Sequence, residues 1–455
     1  MMYKDKYLKY KSKYLQLKMI GGSNPKILQI EDNKLSSDKK SIIDNAYKEN
    51  KTFTQVILPE GLISIGKYAF YKTNLETVIF PEGLKSIGEF AFYETNLKTV
   101  ILREGLESIG TDAFYACKFK KITIPESLLD IGVQAFRSNK ELLYVDLPSK
   151  LKTLQHGTFL GSGLESIKIP DSVTTIASAV FSQNVNLSQV TLPSELLEIG
   201  NACFLMNYPS NSKLEQIILP SKLKTIGARA FQSNILKSIT IPDSVVSIGD
   251  QAFMHNHELK TVQLSSNLTK INDFVFFHTG LESIKIPDAV TSIGKYAFAN
   301  SIMLSDLSLP SNLLTIGVGA FMGRIVDLPF FRMHMLTDEK YPTNSTSILK
   351  EINLPPKLQT IGDCAFQHTS LESIIIPESV LSIGASAFEH TKLKSVIIPN
   401  NVTKIGDNAF ANTNLTKVSI PIHFIKNNDL DTIFTDSFFK LVFGDNFKNI
   451  CFRFT

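Results

Sequence analysis

A unit of 22 or 23 residues recurs along most of this chain, and repetition at that period constrains the fold more than any other feature. Residues 75–96 (LETVIFPEGLKSIGEFAFYETN), 236–257 (LKSITIPDSVVSIGDQAFMHNH) and 393–414 (LKSVIIPNNVTKIGDNAFANTN) are three copies. The unit reads L-x-x-[IV]-x-[IL]-P-x-x-[LV]-x-x-I-G-x-x-A-F and closes with a turn of four or five residues. A unit this short cannot bury its own apolar face, so the copies must stack on one another. The 455 residues therefore read as one solenoid, where length alone would suggest about three domains.

Two columns carry the register. A proline column runs from Pro59 to Pro421, with Arg103 and Ser265 as substitutes, and a phenylalanine column runs from Phe70 to Phe410 in step with it. The I-x-I alternation before each Pro places apolar side chains on one face of a short strand, which Pro then ends. The Ile-Gly pair marks a bend that a Cβ would hinder. In Ala-Phe, Ala allows close approach and Phe is expected to stack on the Phe of the next rung as a continuous aromatic spine. Gln155, Ala177 and Asn272 stand where Gly is the rule, and these rungs are expected to be looser.

The organisation that follows is a basic leader at residues 1–22, an N-terminal cap at 23–52, the repeats at 53–420, and a Phe-rich C-terminal cap at 421–455. Ile27, Leu28 and Ile30 are the apolar contacts expected of the first cap. Two places break the period. MNYPSNS, after Phe204, lengthens one turn by about five residues, and Pro310 and Pro355 are separated by nearly two periods. The intervening segment 323–348 is read as a decayed rung around Asp327-Leu328-Pro329 with a protruding loop, in preference to a pure insertion. Long insertions in solenoids often serve binding.

Charge is uneven. The formal net charge is +4, but six lysines in residues 1–18 (Lys4, Lys6, Lys9, Lys11, Lys13, Lys18) face a single Asp5, so the repeats are close to neutral. The solenoid is therefore not expected to bind nucleic acid specifically, while the leader suits anionic surfaces. Its tyrosines (Tyr3, Tyr7, Tyr10, Tyr14) step by four, three and four, which makes one aromatic stripe on a helix that Gly21-Gly22 would stop. No apolar core of a secretory signal follows those lysines, and no run is long enough to be a membrane helix. Cys117, Cys203 and Cys364 fall on rungs far apart: four rungs at about 4.8 Å separate sulfurs by roughly 19 Å, well beyond disulfide reach. An intracellular compartment is the expected location.

The unit resembles the BspA-type class of leucine-rich repeats, which shares its I-P, I-G and A-F landmarks. The resemblance implies a mainly β leucine-rich-repeat solenoid of about 16 stacked rungs, with short parallel strands and turns, capped at both ends. It also implies a binding role, since such repeats occur on bacterial surface adhesins and in proteins of protist parasites and large DNA viruses, and it brings no catalytic residues. The Lys/Tyr-rich opening ending in Gly-Gly resembles a leader shared by many proteins of giant amoeba-infecting DNA viruses, and that resemblance adds a virion as the other expected location.

A search for chemistry returns little. There is no phosphate-binding Gly-rich loop, no H-E-x-x-H and no G-x-S-x-G, and the glycines are regularly spaced repeat markers. No enzyme, cofactor or metal is expected. The weak metal candidates are His255, His278, His368 and His390, each two residues after its column Phe, with His257 close to the first pair. The residue two before each column Pro should face solvent. Ile57, Ile79 and Ile101 occupy that position near one end, and Ile375 and Ile397 near the other, with mostly polar residues between. These five are the candidate partner-binding residues, because apolar neighbours on an exposed sheet form a patch. The expected function is a non-catalytic protein-binding scaffold, a viral protein acting in host interaction. An adhesin-like surface protein is the alternative, and an enzyme is the least supported reading.

Overall fold

The computed structural model describes residues 27–323, 347–426 and 436–455, and these form a repeating coil of about fifteen turns with one continuous apolar core. Most turns contribute two short strands, which pair in parallel along two sides of the coil. The longer ladder strands include Gln55–Ile57, Thr77–Ile79, Ser238–Thr240 and Ser395–Ile397. They pair residue for residue with the next turn, as in Ile57 with Ile79 and Thr240 with Gln263. The second ladder carries the residues before Gly, so that Ile65 pairs with Ile87, Ile87 with Ile109 and Ile361 with Ile383. Parallel pairing repeats identical environments, and this is why one consensus serves every turn.

The aromatic spine is present. Consecutive rings from Phe70 to Phe410 stack nearly face to face at 5.3–5.9 Å. The widest steps, 5.7 and 5.9 Å, lead into Phe159 and Phe181. Those are the turns in which Gln155 and Ala177 replace Gly. Asn272 opens nothing: its turn keeps 5.5 Å, and its side-chain amide donates to the Ile248 carbonyl at 2.6 Å.

The Ile-Gly glycines serve closeness rather than a special bend. A Cβ on Gly132 would lie 2.5 Å from the Gly110 carbonyl carbon, and one on Gly384 2.5 Å from that of Gly362, without a left-handed φ at either residue. Left-handed backbone falls instead two residues before each column Phe and, in all but the turns after Phe204 and Phe321, two after it, as at Tyr68 (φ 57°) and Lys72 (φ 53°). Amides at those positions donate across the gap, Tyr68 to Glu89 O at 3.0 Å and Lys72 to Tyr93 O at 2.7 Å. Three residues after Phe, a buried Thr or Asn satisfies the Phe carbonyl: Thr73 donates to Phe70 O at 3.0 Å, and the Asn256 amide to Phe253 O and Phe231 O at 2.9 and 2.8 Å.

Both ends continue the spine. Ile27–Leu28 pairs with Gln55–Val56, and Tyr47 stacks on Phe70 at 5.5 Å. Tyr suits this terminal position because its hydroxyl has a partner, accepting from the Glu31 amide at 3.1 Å. At the other end the helix Asp436–Phe443 places Phe443 on Phe410 at 5.6 Å. The helix's last carbonyls lack intrahelical donors, and those of Leu441 and Val442 accept from Asn408 and Phe410, whose amides have no following turn to pair with. The strand Cys451–Phe454 then pairs with Lys417–Ile420 as the outermost strand.

The period break after Pro310 resolves as an insertion, against the decayed-rung expectation. Thr315–Ile316 pairs directly with Thr360–Ile361, and Phe321 stacks on Phe366 at 5.5 Å, so no turn intervenes. Asp327-Leu328-Pro329 lies outside the described residues.

Replacing Phe231, buried and stacked on both sides, with Ala is expected to cost about 3–5 kcal/mol. Gly132→Ala should cost about 1–3 kcal/mol through overpacking between turns. Urea titrations would check both, and a Gly132→Ala loss below about 0.5 kcal/mol would remove the close-approach account.

Candidate functional sites on the strand face and the turns

The strand face presents the residues two before each Pro. Their neighbours one residue away point inward: Val56, Val78 and Val396 are buried, whereas Ile57 is 43% exposed and Ile397 69%. The five candidate isoleucines divide in two groups. Ile57, Ile79 and Ile101 sit side by side, but Ile79 and Ile101 are half-buried. Ile375, 84% exposed, and Ile397 stand on consecutive turns and are open to solvent. Ile218 is 87% exposed with Thr191 and Thr240 on its flanking turns, a single apolar side chain rather than a patch. The first turn, 27–47, continues the ladder edgewise and puts exposed Gln29 in line with Ile57, so it extends the face. Residues 1–26 lie outside the described residues, and with them the leader's stripe.

Opposite charges line the position three residues earlier. Glu76 pairs with Lys98 at 2.9 Å, Glu215 with Lys237 at 2.6 Å, Lys260 with Glu282 at 2.8 Å and Glu372 with Lys394 at 3.7 Å. The Lys237 ammonium pKa is raised, first by its hydrogen bond to Glu215 and then by that carboxylate's charge. These groups are solvated, so each pair contributes little, and their value lies in holding turns in register.

An aromatic stripe on the turns was not singled out from sequence. Tyr71, Tyr93 and Tyr115 stack at 5.0 and 4.2 Å, Arg137 covers the far end with its guanidinium 5.4 Å from the Tyr115 ring, and Lys48 lies 5.5 Å from the Tyr71 ring at the near end. Tyr68 and Phe90 form a parallel stack at 4.8 Å beside it. These columns sit one residue after and two before Phe, and the signal was available: Tyr recurs one after Phe on three consecutive turns.

The histidines separate sharply. His255 and His278 lie on adjacent turns with Nδ1 atoms 3.1 Å apart, and both are buried, 3% and 7% exposed. His257 joins them: one nitrogen from each of the three rings falls within 4.8 Å of the others. Tyr208, from the lengthened turn after Phe204, stacks on His255 at 4.4 Å and lies 5.6 Å from His257. His368 and His390 also occupy adjacent turns, but their rings stack in parallel at 4.5 Å and 8°. His390 also faces Glu389 at 3.6 Å.

Among the thiols, Cys117 and Cys203 are buried and Cys364 half-buried, and burial pushes the Cys117 pKa up to about 12, which leaves it inert as a nucleophile. Among the described residues no helix is long and apolar enough to cross a membrane.

This architecture is that of a leucine-rich-repeat protein, a class that generally acts as a protein-binding or surface scaffold and is typically non-catalytic. The chain belongs to the BspA type leucine rich repeat region family, which matches residues 26–143, 107–235, 224–332 and 341–438. No curated protein matches the sequence. A leucine-rich repeat protein from Bacteroides ovatus shares the fold at 23% identity, with a TM-score of 0.58 over 96% of this chain and 97% of that one. A leucine rich cell surface protein from Faecalibacterium prausnitzii is 27% identical, with a TM-score of 0.41 over 61% of this chain and 78% of that one. The pneumococcal vaccine antigen PcpA is 20% identical, with a TM-score of 0.39 over 88% of each chain.

Ile375→Lys with Ile397→Lys is expected to leave stability within about 0.5 kcal/mol of the parent, while Val396→Lys, pointing inward beside them, should prevent that part of the coil from packing. Thermal melts of the two variants read the face assignment directly: equal losses would contradict it.

Proposed function

We propose that this chain is a non-catalytic scaffold that binds a protein partner on its strand face, with Ile375 and Ile397 as the principal apolar contact. The observation that carries this reading is their exposure, 84% and 69%, on consecutive turns of a face otherwise largely polar. Exposed apolar neighbours on consecutive turns lose water together on contact, and the buried residues beside them, Ile374 and Val396, anchor the backbone that carries them. Ile57, Ile79 and Ile101 form the second contact region. The half-buried tyrosine stack ended by Arg137 adds residue types enriched at binding hot spots.

The finer reading places the chain among viral proteins that act on a host, in the host cytoplasm or on the virion. Its support is the resemblance of the Lys/Tyr-rich leader to that of proteins from giant amoeba-infecting viruses. The leader would then act as a basic anchor for anionic surfaces, and the coil as the recognition element.

Capture from an amoebal host lysate tests both levels at once, with full-length protein, the Ile375→Lys/Ile397→Lys variant and a chain starting at Ser23. Partners kept by the shortened chain and lost by the double variant are the expected result. Partners that vanish with the leader and ignore the isoleucines would make the coil passive cargo.

A further inference from the structure

We propose that His255, His257 and His278 bind a single divalent transition-metal ion, with zinc as the best fit. The argument starts from the repeat. The position two after each Phe is left-handed in every regular turn, with φ of 61° at His255 and 54° at His278, so the same residue type on adjacent turns lands side by side. His255 and His278 thereby bring their Nδ1 atoms to 3.1 Å. Two nitrogens bound to one zinc at 2.0–2.1 Å, with an angle between 90° and 110°, are about 2.9–3.4 Å apart. The pair is thus already spaced as two ligands of one ion.

The third ligand comes from the same turn as His255, four residues after Phe253. Between the histidines of this turn, Asn256 is buried and donates its amide to two Phe carbonyls, which pins the backbone on both sides of it. On the next turn Gly280 approaches so closely that a Cβ there would lie 2.1 Å from the His257 carbonyl oxygen. His257 is thereby held against His278, with ring centroids 4.3 Å apart. The lengthened turn after Phe204 passes over the intervening Phe231 turn and sets the Tyr208 ring on His255 as a roof.

The donor chemistry selects the ion. Three imidazoles favour zinc, copper, nickel or cobalt over magnesium or calcium, which require oxygen. Three nitrogens leave a fourth tetrahedral position for water. With His255 and His278 buried on adjacent turns, the ion would cross-link those two turns beneath the lengthened loop.

His368 and His390 supply the contrast. They share the column and the adjacency, but their rings lie face to face, and among the described residues no third imidazole joins them. Column position brings histidines together; among the described residues only the first group gathers a nitrogen from each of three rings within 4.8 Å of one another.

The test is titration of tag-free full-length protein with zinc chloride, followed by calorimetry and by thermal melts, with cobalt chloride as a spectroscopic probe. The expected result is one equivalent bound with submicromolar affinity, a raised Tm, and the visible absorption of tetrahedral cobalt. His257→Ala and His278→Gln should each weaken binding by about 100-fold and abolish the Tm rise, whereas His390→Ala should change neither. His257 is half-buried, so His257→Ala carries the test should His278→Gln fail to fold. No saturable zinc binding, or binding that His257→Ala weakens by less than about 10-fold, would overturn the proposal and leave the cluster as a hydrogen-bonded histidine pair under an aromatic roof.

Discussion

The separation between successive turns governs this molecule. Parallel backbone pairing sets turns about 4.8 Å apart, and every column of side chains must accept that spacing. Aromatic rings accept a spacing close to it as near-parallel stacks, with centroid separations of 5.3–5.9 Å along the Phe column. Glycine accepts it because nothing larger fits: a Cβ in the Ile-Gly position would press 2.5 Å from the backbone of the turn before. Where Gln155 and Ala177 stand there, the spine is at its widest. Asn272 escapes the penalty by turning its amide into a hydrogen bond with the preceding turn.

Much of this was legible in the sequence because a solenoid writes its contacts as columns. The Phe spine, the outward isoleucines and the alternating charges all follow from aligning residues at one period. What stayed hidden had a different physical basis. The Ile-Gly glycines suggest a bend when read locally, yet their reason is a neighbour 22 residues away. The buried Thr and Asn after Phe look like ordinary turn residues until the Phe carbonyls they satisfy are located. The ends escaped because they keep the role and change the residue: Tyr47 substitutes where a hydroxyl can be satisfied, and Phe443 arrives on a helix. The segment 323–348 misled because its length approaches two periods, while pairing of Ile316 with Ile361 shows that length and turn number are separate quantities here.

The same spacing explains why binding features on such a coil come as pairs and ladders. Any residue type repeated on adjacent turns becomes a near contact, as Tyr93 and Tyr115 do at 4.2 Å and His255 and His278 do at 5.2 Å between rings. Isoleucines so repeated become a hydrophobic strip, tyrosines a stack and histidines a set of convergent nitrogens. Repetition is therefore a cheap route to a surface, since two substitutions suffice where a globular fold would need several elements to converge.

Repetition alone does not finish a site, and the two histidine pairs make the difference plain. His368 and His390 obey the column and stack in parallel. The first pair gains His257, four residues after Phe253 on a regular turn, and Tyr208 from a lengthened loop that departs from strict periodicity. The exposed strand face shows the complementary case, where Ile375 and Ile397 gain their prominence from flanking polar residues such as Asn353 and Ser419. In each instance the regular coil supplies rigidity and spacing, and the irregular residues supply the chemistry. Function on this fold is thus to be sought where the period is broken or the column changes character, because the regular positions are already committed to holding one turn on the next.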